Sequence, residues 1–130
     1  INTTMKITLT HEESEKIFHD ALCNSLGYIQ GHGLVLECSE EAYDTARKNT
    51  NIPSPCYEDV LMQILKDGGT LTLVDLEGVE EAADITLIDV HNRVELAEPH
   101  HLLDAITQNG DVETGDCILQ TVFLGEMIYG

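Results

Sequence analysis

The chain has 130 residues, of which 42% are hydrophobic, and sets 24 acids against six bases for a net charge of −18. That length buries a real core and that apolar content excludes wholesale disorder, while so negative a field repels phosphate backbones and anionic lipid and attracts basic protein surfaces and cations. Direct nucleic-acid binding is therefore excluded, the more so because Trp is absent and aromatics make up only 5%, too few for a base-stacking platform.

Ile1–Thr4 precede Met5 and read as a tag remnant or a short extension. Met5–Leu9 alternates apolar and polar and predicts a first strand. Thr10 with Glu13 makes a capping box for a helix over His11–Leu26, burying Ile17, Phe18, Ala21, Leu22 and Leu26 and ending at Gly27. Leu34–Cys38 reads as a strand. Ser39 is a good N-cap for a helix over Glu40–Lys48, whose early acids and late Arg47 and Lys48 complement the helix dipole. Ser54-Pro55 predicts the start of a third helix that buries Val60, Leu61, Ile64 and Leu65 and stops at Gly68-Gly69. Thr70–Leu76 is the strongest strand signal, followed by an acidic loop over Glu77–Ala83 and a short return strand over Asp84–Thr86. Thr86 with Asp89 caps a helix over Leu87–Leu96, and Pro99 opens another that turns Leu102, Leu103 and Ile106 inward. After the Asn109-Gly110 breaker, a last helix over Asp111–Leu124 carries Val112, Ile118, Val122 and Phe123. This order predicts one α+β domain over residues 1–130, with a small sheet of about three to five strands covered by about five or six helices.

Charge is unevenly spread. Residues 1–66 hold ten acids and five bases; residues 67–130 hold fourteen acids and a single base, Arg93. Glu37, Glu40, Glu41 and Asp44 recur three or four apart, as do Glu77, Glu80, Glu81 and Asp84. At helical spacing such carboxylates stand about 6 Å apart, close to the interval of phosphates along a nucleic-acid strand. The acidic face expected to bind comprises Glu77, Glu80, Glu81, Asp84, Asp111, Glu113 and Asp116, and its partner is a basic protein surface. In its sharper form it mimics nucleic acid. The plainer account of the same charge is solubility or adaptation to salt.

Enzyme chemistry has weaker signals. Cys23, Cys38, Cys56 and Cys117 lie at wide spacing with no Cys-x-x-Cys pair, and they read as reduced, intracellular thiols. His19 and Cys23, four apart, form with His32 and Cys38 a conceivable tetrahedral metal set, although buried cysteines at such positions are ordinary core residues. Cys56 near a helix start is a nucleophile candidate, opposed by the neighbouring Glu58 and Asp59. His91 and the pair His100-His101, set among carboxylates, are candidate pH sensors or simply surface residues. Gly27, Gly31 and Gly33 lack the spacing of a phosphate cradle, and Asp75, Glu77 and Gly78 fall short of a calcium loop. No cofactor is implied. No apolar run has the length of a membrane span, and no secretory signal pattern is visible.

The stretches His19-Asp-Ala-Leu-Cys-Asn-Ser-Leu-Gly27, Cys56-Tyr-Glu-Asp-Val-Leu-Met-Gln-Ile-Leu-Lys-Asp-Gly68 and Ile118-Leu-Gln-Thr-Val-Phe123 resemble a family of small acidic proteins encoded by bacteriophages, over nearly the whole chain from Met5. The resemblance transfers no functional residues. It implies a context, the cytoplasm of an infected host cell, and an accessory protein that acts by binding. The alternatives are a small metal-dependent or thiol enzyme, and a virion or assembly component with apolar surface at Met127–Tyr129.

Overall fold

The computed structural model describes residues 6–78 and 81–130. Among them run, in order, α1 (His11–Gln30), β1 (Leu34–Glu37), α2 (Glu40–Asn49), α3 (Tyr57–Lys66), β2 (Leu71–Asp75), β3 (Ala83–Ile85), α4 (Leu87–Arg93), a single 3-10 turn (Val94–Leu96), α5 (Pro99–Ile106) and α6 (Val112–Leu124). The fold is α+β: a three-stranded antiparallel sheet in the order β1-β2-β3, packed on one side by helices. No helix of the described residues is long and apolar enough to cross a membrane.

Local chemistry explains most boundaries. Thr10 Oγ1 accepts the Glu13 N–H at 3.1 Å and Glu13 Oε1 accepts the Thr10 N–H at 2.8 Å, so two orphan donors at the start of α1 are satisfied together. Ser39 caps α2 through the Ala42 N–H, Thr86 and Asp89 cap α4, and Pro99 occupies the first turn of α5.

Several expectations need correcting. Lys6–Leu9 is not a strand: Ile7 and Leu9 do pack against the core, but the Leu9 N–H goes to the Glu95 carboxylate at 3.0 Å and not to a ladder. Gly27 does not end α1, because buried Ser25 and Ile29 carry the inward stripe another turn; the chain reverses at Gly33, where φ is +80°. Cys56, not Ser54, is the N-cap of α3. Its N–H donates to Asp59 Oδ2 at 3.4 Å, while Ser54 sits in the left-handed region with φ of 52°. On α5 only Leu102 is fully buried, and Leu103 and Ile106 face out because this two-turn helix meets the body along one flank.

The core is built around α6. Ten consecutive residues, Thr114–Phe123, are buried, so this helix is surrounded where a surface helix would show one apolar stripe. Its expected first core residue, Val112, is exposed. The main partner is α1, which runs antiparallel to it: Ser25 Oγ donates to the Val112 carbonyl at 2.8 Å, and the Phe18 and Phe123 rings stand 6.1 Å apart. Gly115 makes the close approach feasible, since a methyl group there would lie 2.0 Å from Ser25 Oγ.

Sheet register divides its two faces. Leu34 opposes Asp75, Leu36 opposes Leu73, and Leu71 and Leu73 oppose Ile85 and Ala83. These residues line the inner face, most of them buried against the helices. The opposite face carries the pairs Val35–Val74, Glu37–Thr72 and Thr72–Asp84.

Candidate acidic binding surface

Of the seven carboxylates expected to form a face, Glu77, Glu81, Asp84, Asp111 and Glu113 are exposed, and Glu80 lies outside the described residues. Asp116 does not belong to that face. It is 2% exposed, its Oδ2 faces His32 Nε2 at 3.3 Å, and its Oδ1 accepts from Gln120 Nε2 at 2.7 Å. Asp111 is committed to the fold as the N-cap of α6; the Thr114 backbone N–H, bonded at 3.0 Å, holds its carboxyl below the usual aspartate range. The Glu77 side chain lies over Gly33, where a methyl group would meet its Cγ at 3.4 Å, and the adjacent His32 reaches Asp116, one turn along α6 from Glu113.

The outer face of the sheet is a part of the acidic surface that the sequence reading missed. Glu37, Thr72 and Asp84 stand in one line across the three strands, with Thr72 Oγ1 donating to Asp84 Oδ1 at 2.6 Å. Beside them, Val35 and Val74 are half-buried, and neither belongs to the core cluster. Leu76, whose N–H extends the ladder to the Gly33 carbonyl, is 68% exposed. The period-2 alternation of Thr72, Val74 and Leu76 was the available signal, because it places apolar side chains on both faces of β2.

Little cationic charge offsets these carboxylates. Among the described residues, Lys and Arg form ion pairs only as Lys16–Asp20 and Arg93–Asp89. Arg93 also donates to the Val122 carbonyl at 2.8 Å, so the one base of residues 67–130 is divided between Asp89 and the helix packing. Four histidines face carboxylates: His19 at Asp59, His32 at Asp116, His91 at Glu15 and His100 at Asp104, over 2.8 to 3.6 Å. His101 turns instead to Thr114 Oγ1, and His91 also stacks on His11 with ring centroids 3.9 Å apart.

The metal candidates are not brought together. His19 Nε2 lies 2.9 Å from Asp59 Oδ1 and 3.8 Å from Cys23 Sγ, whereas His32 is tied to Asp116, and Cys38 packs against the core. No group of three or more His, Cys, Asp or Glu among the described residues is placed to hold a metal ion. Cys23, His19 and Asp59 have the composition of a nucleophile triad without its geometry. Thiol and carboxylate meet the same ring nitrogen, so the carboxylate cannot orient the ring from the far nitrogen while the near one takes the thiol proton. Burial, followed by the nearby Glu58 carboxylate, pushes the Cys23 thiol up to about 11. At Cys56 the Asp59 backbone N–H favours the thiolate, but the Asp59 carboxylate and burial outweigh it and the thiol is raised.

A buried polar cluster holds residues 125–130 in place. Gln120 Oε1 accepts the N–H groups of Ile128 and Tyr129 at 2.9 and 2.8 Å, its Nε2 donates to the Tyr129 carbonyl at 3.0 Å, and the Tyr129 hydroxyl donates to Asp75 Oδ2 at 2.6 Å. Asp75 is thus a fixed anchor, its other oxygen accepting the Glu77 N–H. Of the apolar surface expected at Met127–Tyr129, Met127 and Ile128 are exposed and Tyr129 is not.

Comparison with protein-family models, with curated proteins and with solved structures finds no match.

Proposed function

We propose that this is a non-enzymatic binding protein, an accessory protein of bacteriophage infection acting in the host cytoplasm, whose exposed carboxylates engage a basic surface on another protein. The observation that carries the reading is the lack of compensation: Glu37, Glu77, Glu81, Asp84 and Glu113 are exposed, none pairs with a Lys or Arg, and Arg93 is engaged by Asp89 and the Val122 carbonyl. Uncompensated like charge costs stability, and a cationic partner recovers that cost while steering its own approach. Against the enzyme reading stand the raised thiols of Cys23 and Cys56 and the shared ring nitrogen of His19.

The test is affinity capture from infected cells at low salt, with a variant carrying Glu77→Lys, Glu81→Lys and Asp84→Lys in parallel. The expected result is a stoichiometric basic protein that elutes at moderate salt and is absent from the variant column. Retention indifferent to both salt and variant, or no partner at all, refutes the reading.

A further inference from the structure

We propose that residues 126–130 form a releasable strap, and that its opening adds Asp75 and Asp116 to the acidic surface. This rests on the acidic-surface reading above and supplies its regulation. The strap is tied down by polar bonds more than by packing. The Gln120 amide holds it through the Ile128 and Tyr129 N–H groups and the Tyr129 carbonyl, over 2.8 to 3.0 Å, and Asp75 Oδ2 takes the Tyr129 hydroxyl at 2.6 Å. Glu126, Met127 and Ile128 are exposed, and Tyr129 is the residue of the segment that packs against the core. Gly125, with φ of +86°, turns the chain out of α6 and serves as the pivot.

Beneath the strap lie carboxylates. Asp75 is 7% exposed and Asp116 2%. One point, the position of a methyl group on Gly33, is 3.6 Å from the Glu77 carboxyl carbon and 3.8 Å from Asp75 Oδ1, so these two acids are neighbours. The adjacent His32 faces Asp116 Oδ2 at 3.3 Å, and its ring stacks on that of Tyr129 with centroids 5.9 Å apart. Tyr129 therefore covers Asp75 directly and braces the imidazole that covers Asp116. The segment itself contains Glu126 and no Lys or Arg. Like charges held together away from water oppose closure, and opening relieves them. The groups left behind are carboxylates and an amide, which water hydrates, whereas an apolar seat would resist exposure. A cationic group gains Asp75 and Asp116 only in the open form, so a basic partner shifts the population toward it. While the open form is the minor one, apparent affinity rises in proportion to its fraction.

The experiment compares the full chain with two single variants. Tyr129→Phe deletes the hydroxyl on Asp75 and keeps the ring; Ile128→Pro deletes one N–H that Gln120 accepts, at an exposed position. Amide exchange at Tyr129 reports opening, and a decalysine peptide at low salt is the basic probe. In the wild-type protein the Tyr129 amide should be about a hundredfold or more less protected than Ile118 and Leu119, with a rate insensitive to dilute urea. Each variant should speed Tyr129 exchange about tenfold and tighten decalysine binding by the same factor. Decalysine should in turn speed Tyr129 exchange in the wild-type protein, because the coupling is reciprocal. Tyr129 exchanging in step with Ile118 and Leu119 means that strap and core open together, and overturns the strap. So does faster exchange with unchanged decalysine affinity, which cuts the link between strap and acidic surface. In either case salt-dependent decalysine binding leaves the acidic-surface reading standing. No decalysine binding by any of the three proteins at low salt overturns both.

Discussion

Gly115→Ala places one methyl group where α1 and α6 are closest. That methyl would lie 2.0 Å from Ser25 Oγ, 2.8 Å from Ser25 Cβ and 3.3 Å from the Ala21 carbonyl oxygen. Rotating the serine hydroxyl away removes the first contact but leaves the Cβ contact, and it breaks the 2.8 Å hydrogen bond to Val112. The helices must therefore separate, disturbing packing along the central pair. Overpacking of this kind costs about 1–3 kcal/mol and the lost hydrogen bond about 1 more. The expected loss is about 3 kcal/mol, or about 10 °C in Tm for a chain of this size. Ser25→Gly removes both offending atoms. Alone it costs about 1–2 kcal/mol through the lost hydrogen bond and the helical glycine. In the double variant, Ser25→Gly with Gly115→Ala, the methyl group fills the space it opens, so the double variant should be more stable than Gly115→Ala alone. Urea denaturation of the four proteins closes the cycle. Gly115→Ala within about 0.5 kcal/mol of wild type, or strictly additive effects, refutes the packing argument.

Other expectations follow from single contacts. Gln120→Ala removes the amide that binds Ile128, Tyr129 and Asp116; it should cost about 2–4 kcal/mol and release residues 125–130, read as fast amide exchange at Ile128 and Tyr129. Unchanged protection there rejects the anchoring role. Cys23, though exposed, should alkylate at pH 8 about a hundredfold more slowly than an ordinary thiol with a pKa near 9, because so little of it is thiolate. A rate matching glutathione would remove the electrostatic account. Glu13, Glu98 and Asp111 are held below the usual carboxylate range, chiefly by the backbone N–H groups of Thr10, His100 and Thr114 respectively. A lowered folded-state pKa means stability that is complete above the unfolded value, near 4, and that fades as pH falls through the folded value. Tm should hold from neutrality to about pH 5 and drop below about pH 4, and Asp111→Asn, which keeps a cap without a titrating group, should flatten that acid limb. An identical acid limb in the variant counts against the cap.

Elements marked by local side-chain chemistry were the legible ones. The Thr10–Glu13 and Thr86–Asp89 boxes, the Ser39 cap and Pro99 each place a helix start through bonds made within three residues, and the alternation of β2 needs only its own period. What failed depended on distant partners. Ile7 and Leu9 alternate as a strand does, but no neighbouring strand receives them, and Glu95, far along the chain, takes the Leu9 N–H. Gly27 looked like a stop because glycine often is one, yet a glycine inside a helix costs only about 1 kcal/mol against alanine. Asp116 carries the same charge in the sequence as Glu113; only the approach of His32 and Gln120 makes it an interior residue. The all-round burial of α6 hid its role too, since a surrounded helix shows no single stripe to count.

That central position of α6 also shapes how the protein is made. The ribosome releases α6 after every other element described, although α1, its principal partner, emerges nearly ninety residues sooner. Until then Phe18, Leu22 and the inner face of the sheet lack the helix that finally covers them, and apolar surface waits in a half-built chain. Closing so long a loop makes assembly slow compared with a bundle of neighbouring helices. At a net charge of −18, such half-built chains repel one another, which opposes their association while the cores are incomplete.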